Sequence, residues 1–410
     1  MEKDQEILRC SAIVIKVASR CNLNCTYCYM YNMGDETYRK QPKFMRDEVV
    51  DALLLRIRNH CQEHNLESFI IVFHGGEPLL AGHEFYRKFV AKANSMLSEH
   101  VRVRYSVQTN GVLLDDEWCK LFGELNVYVG VSLDGTPAQN DKFRIDHSGR
   151  GSYNNIVKGL QVALNSTDLR ERPGVLCVVD AASDPVETYN HFKTIGARDI
   201  DFLLPDANYE KPSPGKEDIG SVSAPYGDWF IKIFEYWYND PKDRVSIRFF
   251  RHIIHGLLGK DFVSEQIGGG NNEVLIVETN GSIETSDILK ICGDGFTKDN
   301  SHVFTTELSE ALETDLVKMY NLSHKQLCAK CQRCPIVEIC GGGFLPHRYS
   351  KENAFNNPSI YCYDLLKIIT HIQNRIIESL PAEVLEESGI SAIAFEEAVA
   401  ILNNDYSEVE

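Results

Sequence analysis

The chain has 410 residues, 43% hydrophobic and 25% charged, which suits a large buried core and excludes a small binding module, a disordered chain and a collagen-like repeat. Its net charge is -17 at pH 7, and the segment after Pro381 is acidic with no Lys or Arg, which argues against nucleic acid or an anionic membrane as partner. No apolar run approaches the roughly eighteen residues of a membrane span, and the start lacks a signal-peptide layout, so a cytoplasmic protein is expected, in which 13 cysteines point to metal or redox chemistry rather than disulfides.

Short β-branched runs alternate with amphipathic stretches through the first half of the chain, the rhythm of β-α units around a parallel sheet. The predicted strands are Ala12 to Ala18, Phe69 to Phe73, Arg102 to Gln108, Val127 to Ser132, Val175 to Val179 and Ile200 to Leu204. Between the first two, Arg46 to His64 places Val49, Val50, Leu53, Leu54 and Ile57 near a 3.6-residue period and predicts a helix. Six such units predict an α/β fold, a partial (β/α)6 TIM-like barrel, whose working face is the C-terminal edge of the strands.

Residues 1–205 are assigned to that barrel. A Pro/Gly/Ser/Asp-rich passage from Pro205 to Pro225 reads as a long loop and opens a bridging region, residues 206–272. Val274 to Val277, the Asn280-Gly281 turn and Ile283 read as a hairpin that starts a Cys- and Gly-rich domain, residues 273–365, too sparse in apolar residues to fold without metal crosslinks. Residues 366–410 read as acidic C-terminal helices broken at Gly389, with a tail.

Cys21, Cys25 and Cys28 follow the first strand in a Cys-x3-Cys-x2-Cys spacing. Three thiolates are one short of a closed zinc site, whereas an iron-sulfur cube with three protein ligands keeps one iron open. A zinc knuckle with a distant fourth ligand is the alternative. Cys331, Cys334, Cys340 and Cys362 form a second group, enough to hold a whole 4Fe-4S cluster or, alternatively, a ribbon-type zinc. Cys10, Cys61, Cys119, Cys177 and Cys292 stand apart and read as buried structural residues, with Cys292 and Cys328 as spare ligands.

The first group, with Tyr27, resembles the cluster loop of radical S-adenosylmethionine (radical SAM) enzymes. The resemblance implies that the open iron binds S-adenosyl-L-methionine, whose reductive cleavage yields a 5'-deoxyadenosyl radical. Gly75, Gly76, Glu77 and Pro78 resemble the family's second landmark, with glycines for close backbone approach and Glu77 for the cofactor's amino group. Gln108 and Asn110, Ser132 and Asp134, Arg144, and Leu203 match further cofactor contacts at later strand ends. Each has an ordinary alternative as a turn, surface charge or core residue.

The second group resembles the C-terminal SPASM domain of radical enzymes that modify peptides. Ser286 and Phe344 stand where the two-cluster version has cysteines, so one auxiliary 4Fe-4S cluster is expected. The stretch Gly341 to Tyr349 is similar to maturases that form three-residue cyclophanes in ribosomally made peptides, joining an aromatic carbon to a β-carbon. That implies a precursor peptide with a leader as substrate and a reducing partner such as flavodoxin or ferredoxin.

Asp287 is the candidate proton acceptor, because it resembles the aspartate base of sulfatase maturases; a turn-capping role is the alternative. His347 and Arg348 are expected either to meet substrate or to lie in a surface loop. Only about ten residues precede the first strand, so no leader-binding module is expected there. Formylglycine or thioether formation is the alternative chemistry, and a non-catalytic iron-sulfur carrier the alternative class.

Overall fold

The computed structural model describes residues 7–97, 101–240, 242, 244–381, 383, 385–386 and 391–403. Its first six strands are β1 (Ala12–Ala18), β2 (Ser68–Gly75), β3 (Arg102–Thr109), β4 (Val127–Ser132), β5 (Gly174–Val178) and β6 (Asp199–Leu203), each within two residues of its predicted bounds. Two-residue β7 (Ser246–Ile247), β8 (Val274–Val277) and β9 (Ile283–Glu284) follow. The helices in chain order are α1 (Asp47–Glu63), α2 (His83–Leu97), α3 (Asp116–Leu125), α4 (Pro137–Phe143), α5 (Tyr153–Asn165), α6 (Pro185–Thr194), α7 (Pro225–Tyr238) and α8 (Arg248–Leu257). Short α9 (Leu308–Leu312), α10 (Asp315–Asn321), α11 (Ala329–Gln332) and α12 (Val337–Cys340) lead to α13 (Cys362–Glu378) and α14 (Phe395–Asn403).

The chain forms two compact units, the first comprising Met1–Cys177, Phe192–Ile200 and Glu273–Asn321. Its core is a parallel sheet in which β1 pairs with β2, β2 with β3, β3 with β4 and β4 with β5. Val49, Val50, Leu53, Leu54 and Ile57 of α1 are buried, as their period requires. Phe73 of β2 meets Tyr86 and Phe89 of α2 at 4.9 and 5.1 Å between ring centroids, tying helix to sheet with aromatic area.

The predicted hairpin forms, with β8 antiparallel to β9 and Gly281 in the left-handed region at φ 97°. Its placement differs from the expected start of a second domain. β8 pairs parallel with β1, Ala12 opposite Val274 and Ile15 opposite Val277, so Glu273–Asn321 groups with the barrel strands. The physical reason is the open edge of a partial barrel: β1 has an unpaired ladder, and the apolar run Val274 to Val277 satisfies it.

Buried charge holds this hairpin. Lys290 donates to Glu278 at 2.7 Å and lies 3.3 Å from Glu284, which also binds Thr297 and Lys298. Burial alone would lower the pKa of Lys290, but the charges of Glu278 and Glu284 outweigh it and raise it.

The second unit comprises Val178–His191, Asp201–Asn272 and Leu322–Glu410. Asp364, in the first turn of α13, accepts from the backbone N–H of Tyr226 (2.8 Å) and Gly227 (3.0 Å) at the start of α7, and pairs with buried Lys216 at 2.9 Å. The loop after Pro205 is therefore tied down beside Cys362, the first residue of α13. The expected helix break at Gly389 and the tail from residue 404 lie outside the described residues. No helix among the described residues is long and apolar enough to cross a membrane.

Replacing Lys290 with Met would leave Glu278 buried without its cation and Glu284 with Lys298 alone. We expect a loss of about 3–5 kcal/mol in urea unfolding of the first unit, and an unchanged midpoint would contradict the network's role.

Candidate active site

The Cys21–Cys28 loop leaves β1 at the C-terminal edge of the sheet and is clamped by the chain after α4. Asn24 N–H donates to Ile145 O at 2.7 Å and Thr26 N–H to Phe143 O at 2.9 Å. The three cysteines are half-buried and unbonded to one another, whereas Cys10, Cys61, Cys119, Cys177 and Cys292 are buried. Burial pushes the thiol pKa of Cys21 up to about 12 and of Cys28 up to about 11, and raises that of Cys25, so binding metal requires the loss of protons.

The segment after β2 packs on this loop. Gly76 N–H donates to Ala18 O at 2.8 Å and Glu77 N–H to Arg20 O at 2.9 Å. A side chain on Gly75 would strike Ala18 O, and one on Gly76 would strike Tyr31 Oη and Arg20 O. The glycines thus serve close approach to the chain's own Cys loop, in addition to any ligand. Pro78 starts a 3-10 turn that Glu77 caps.

Glu77 is fully buried and accepts from Leu79 N–H (3.0 Å), Thr109 Oγ1 (2.7 Å) and Asn110 N–H (2.8 Å). Three of the roughly four acceptor sites of a carboxylate are used inside the protein, which locks this loop to the end of β3. Asn110 continues the link, its Nδ2 2.7 Å from Asn22 Oδ1 and 3.7 Å from Cys21 Sγ.

Half-buried Tyr27 donates to buried Asp134 and receives buried Arg144 Nη1 at 2.8 Å, and Arg144 Nε has no partner. Gln108 Nε2 donates to Ser132 Oγ at 2.8 Å. Leu203, half-buried at the end of β6, belongs to the second unit.

Asp287 opens the 3-10 turn after β9 and is buried. Its Oδ2 forms an ion pair with Lys16 of β1 and accepts from Tyr29 Oη at 2.8 Å. Burial raises its pKa, but the charge of Lys16 and these hydrogen bonds outweigh burial and lower it to about 2. Lys16 Nζ also lies 3.1 Å from His74 Nδ1, which accepts Gly75 N–H at 2.8 Å. Burial and the neighbouring lysine bring His74 down to about 4, so it is neutral near pH 7. Sequence reasoning missed Lys16, Tyr29 and His74. The available signals were a lysine inside an apolar strand, a histidine just before Gly75 and a tyrosine after Cys28.

In the second unit, Cys331, Cys334, Cys340 and Cys362 line one pocket, with apolar Ile336, Val337 and Leu402. Cys328 does not line it; its thiol hydrogen-bonds that of Cys331. Cys292 belongs to the first unit. His347 and Arg348 correct an expectation: both are fully buried, so neither lies in a surface loop open to substrate. The reason is packing, with His347 against Phe344 and Tyr361 at 5.3 and 4.8 Å, and Arg348 bonded to two backbone carbonyls.

A tetrahedral zinc needs ligand sulfurs about 3.8 Å apart, given bonds of about 2.3 Å. Among the described residues no three cysteine Sγ atoms lie within 4.8 Å of one another. The trio that does cluster so tightly is His60, Glu63 and His64. His60 Nε2 accepts Cys10 N–H at 2.9 Å, so its Nδ1 carries the proton and faces Ser309 Oγ at 3.1 Å, a hydrogen-bonded hub rather than a ligand set.

Residues 15–167 match the radical SAM superfamily. The match takes in the Cys21 loop and the Gly75-to-Pro78 segment. It is 28% identical over 363 residues to the cysteine-type anaerobic sulfatase-maturating enzyme of Clostridium novyi, covering 86% of this chain and 92% of that one. The serine-type anaerobic sulfatase-maturating enzyme of Bacteroides thetaiotaomicron is 25% identical over 363 residues, 83% of each chain. Among solved structures, native anSMEcpe with bound AdoMet and Cp18Cys peptide aligns with a TM-score of 0.75 at 26% identity, over 90% of this chain and 98% of that one. The protein is a radical SAM maturase with a radical SAM α/β fold, and its cofactors are S-adenosylmethionine and 4Fe-4S clusters. The donor sets fit them: a three-thiol loop at a strand edge, and a four-thiol pocket.

Asp287 also bears on the stability of the first unit. Its folded pKa of about 2 lies below the ordinary carboxylate value of about 3.9, so its stabilisation is full above about pH 4 and is lost as pH falls through about 2. We expect Asp287→Asn to cost about 2–3 kcal/mol at pH 7 in denaturant unfolding, a difference that narrows below pH 4. A pH-independent difference would contradict the ion pair.

Proposed function

We propose that this maturase oxidises the β-carbon of a cysteine or serine within a peptide to an aldehyde, the formylglycine-forming chemistry. Similarity over most of the chain to both cysteine-type and serine-type sulfatase-maturating enzymes supports this reading. The single observation that carries it is Asp287, a carboxylate held ionised by Lys16 and Tyr29 in the same unit as the three-thiol loop. Cys21, Cys25 and Cys28 would hold the cofactor cluster, and the Gly75-to-Pro78 segment with Asn110, Asp134 and Arg144 would shape the S-adenosylmethionine site.

When bound, the cofactors supply removal of a hydrogen atom from carbon and uptake of the electron that follows. The chain's own part is the proton. A serine loses one hydrogen from Cβ, one electron, and the proton of its hydroxyl, leaving the aldehyde. A cysteine does the same at its thiol, and water then replaces sulfur as hydrogen sulfide. Once the electron has gone, the O–H or S–H is far more acidic than a carboxylic acid, so a carboxylate with a pKa of about 2 is a sufficient acceptor. Lys16 keeps Asp287 ready as an anion, and His74, neutral beside Lys16, adds no competing charge.

A second reading, aromatic-carbon to β-carbon crosslinking of a precursor peptide, is favoured by one feature. Ser286 stands in place of one cysteine of the two-cluster arrangement and Phe344 of another, leaving one four-cysteine pocket, which Gly342 of the Gly341-to-Tyr349 stretch also lines. The proton leaving the ring would go to the same carboxylate.

The test is anaerobic turnover of the reduced, cluster-loaded enzyme on peptides carrying one Cys, one Ser, or an aromatic residue two positions from a polar one. Aldehyde formation predicts a carbonyl that reacts with hydrazide reagents, whereas crosslinking predicts loss of two hydrogens with no carbonyl. Asp287→Asn should lower product by about 10²–10⁴-fold while 5'-deoxyadenosine still forms. Product at the wild-type rate would remove Asp287 from the mechanism.

A further inference from the structure

Arg348 heads the largest fully buried side chains of the molecule. It closes the 3-10 turn Leu345–Arg348 in the second unit. Nη1 donates to Gln326 O at 3.1 Å and Nη2 to Ser323 O at 2.9 Å, while Nε has no partner. These bonds satisfy donors without neutralising the charge, and the charged groups that act on it are cysteines, with no carboxylate among them. The groups whose negative charge would act on it are Cys331, Cys340 and Cys328.

The guanidinium stands directly behind the four-cysteine pocket. Gly342 lines that pocket at φ 82°, and a Cβ there would come within 3.2 Å of Arg348 Nη1.

A buried cation with no counter-charge is strongly disfavoured, and neutral thiols do not relieve it. Guanidinium does not lose its proton in proteins, so the charge cannot be shed. Four thiolates around a 4Fe-4S core leave a net negative charge, which supplies the missing anion. Adding an electron to such a cluster places more negative charge against a fixed cation in a poorly polarisable interior, which favours the reduced form.

We infer that Arg348 is the fixed counter-charge of the auxiliary cluster and raises its reduction potential, biasing it to accept the electron released by substrate oxidation. The inference rests on Cys331, Cys334, Cys340 and Cys362 being that cluster's ligands. It holds for either peptide product, since both reactions release one electron after the hydrogen atom leaves.

The test uses the full chain with Cys21, Cys25 and Cys28 all replaced by Ala, so that any cluster bound after anaerobic reconstitution is the auxiliary one. Iron and sulfide per chain report occupancy, and a redox titration followed by electron paramagnetic resonance gives the midpoint potential. Arg348→Gln should shift that midpoint downward, and Arg348→Lys should keep it near the parent value. If Arg348→Gln fails to take up a cluster while Arg348→Lys does, the requirement for charge stands. An unmoved midpoint in a fully loaded Arg348→Gln, or an equal shift in both variants, would overturn the inference while leaving the ligand assignment intact. A chain that binds no cluster with Arg348 present would overturn the ligand assignment itself.

Discussion

Parallel pairing of β1 with β2 on one side and β8 on the other is the constraint on which the site depends. It sends the chain segments after three strands to the same edge of the sheet: the Cys21 loop, the Gly75-Gly76-Glu77 segment and the hairpin that ends at Asp287. Register fixes individual contacts as well. Lys16 and His74 are direct partners across β1 and β2, so the contact between ammonium and imidazole is set by the ladder. A slip of one residue would turn Lys16 to the other face and leave Asp287 buried without its cation.

Buried charge recurs at both ends of the proposed chemistry, with opposite sign. In the first unit a carboxylate is kept as an anion by a lysine with no solvent exposure. In the second, a guanidinium is buried behind four thiols with no carboxylate of its own. Each arrangement is costly if its counter-charge is removed. A side chain that only packs the core has no need of such a charge.

Much of the first unit was legible because local pattern determines it. β-branched runs mark the six strands, and the period of Val49 to Ile57 marks the buried face of α1. Cysteine spacing marked out two groups, one on the loop after β1 and one lining a single pocket, because chelation would impose such short, fixed intervals. Contacts fixed by long-range pairing were hidden. The roles of Lys16, Tyr29 and His74 appear only when β8 docks on β1 and carries Asp287 across the chain. Glu77 read as a ligand from its motif, yet its three internal bonds depend on where β3 ends. Arg348 read as a surface or substrate-facing residue because a charged side chain in a Gly-rich stretch gives no local sign of burial.

The central claim is that Cys21, Cys25 and Cys28 hold a 4Fe-4S cluster with one iron open to S-adenosylmethionine. The most direct measurement is the electron paramagnetic resonance spectrum of reduced, anaerobically reconstituted protein before and after adding S-adenosylmethionine. The account predicts that one cluster signal shifts on addition and that this signal is absent when the three cysteines are replaced by Ala. A spectrum unchanged by the cofactor, or a shift that survives loss of all three thiols, would contradict it.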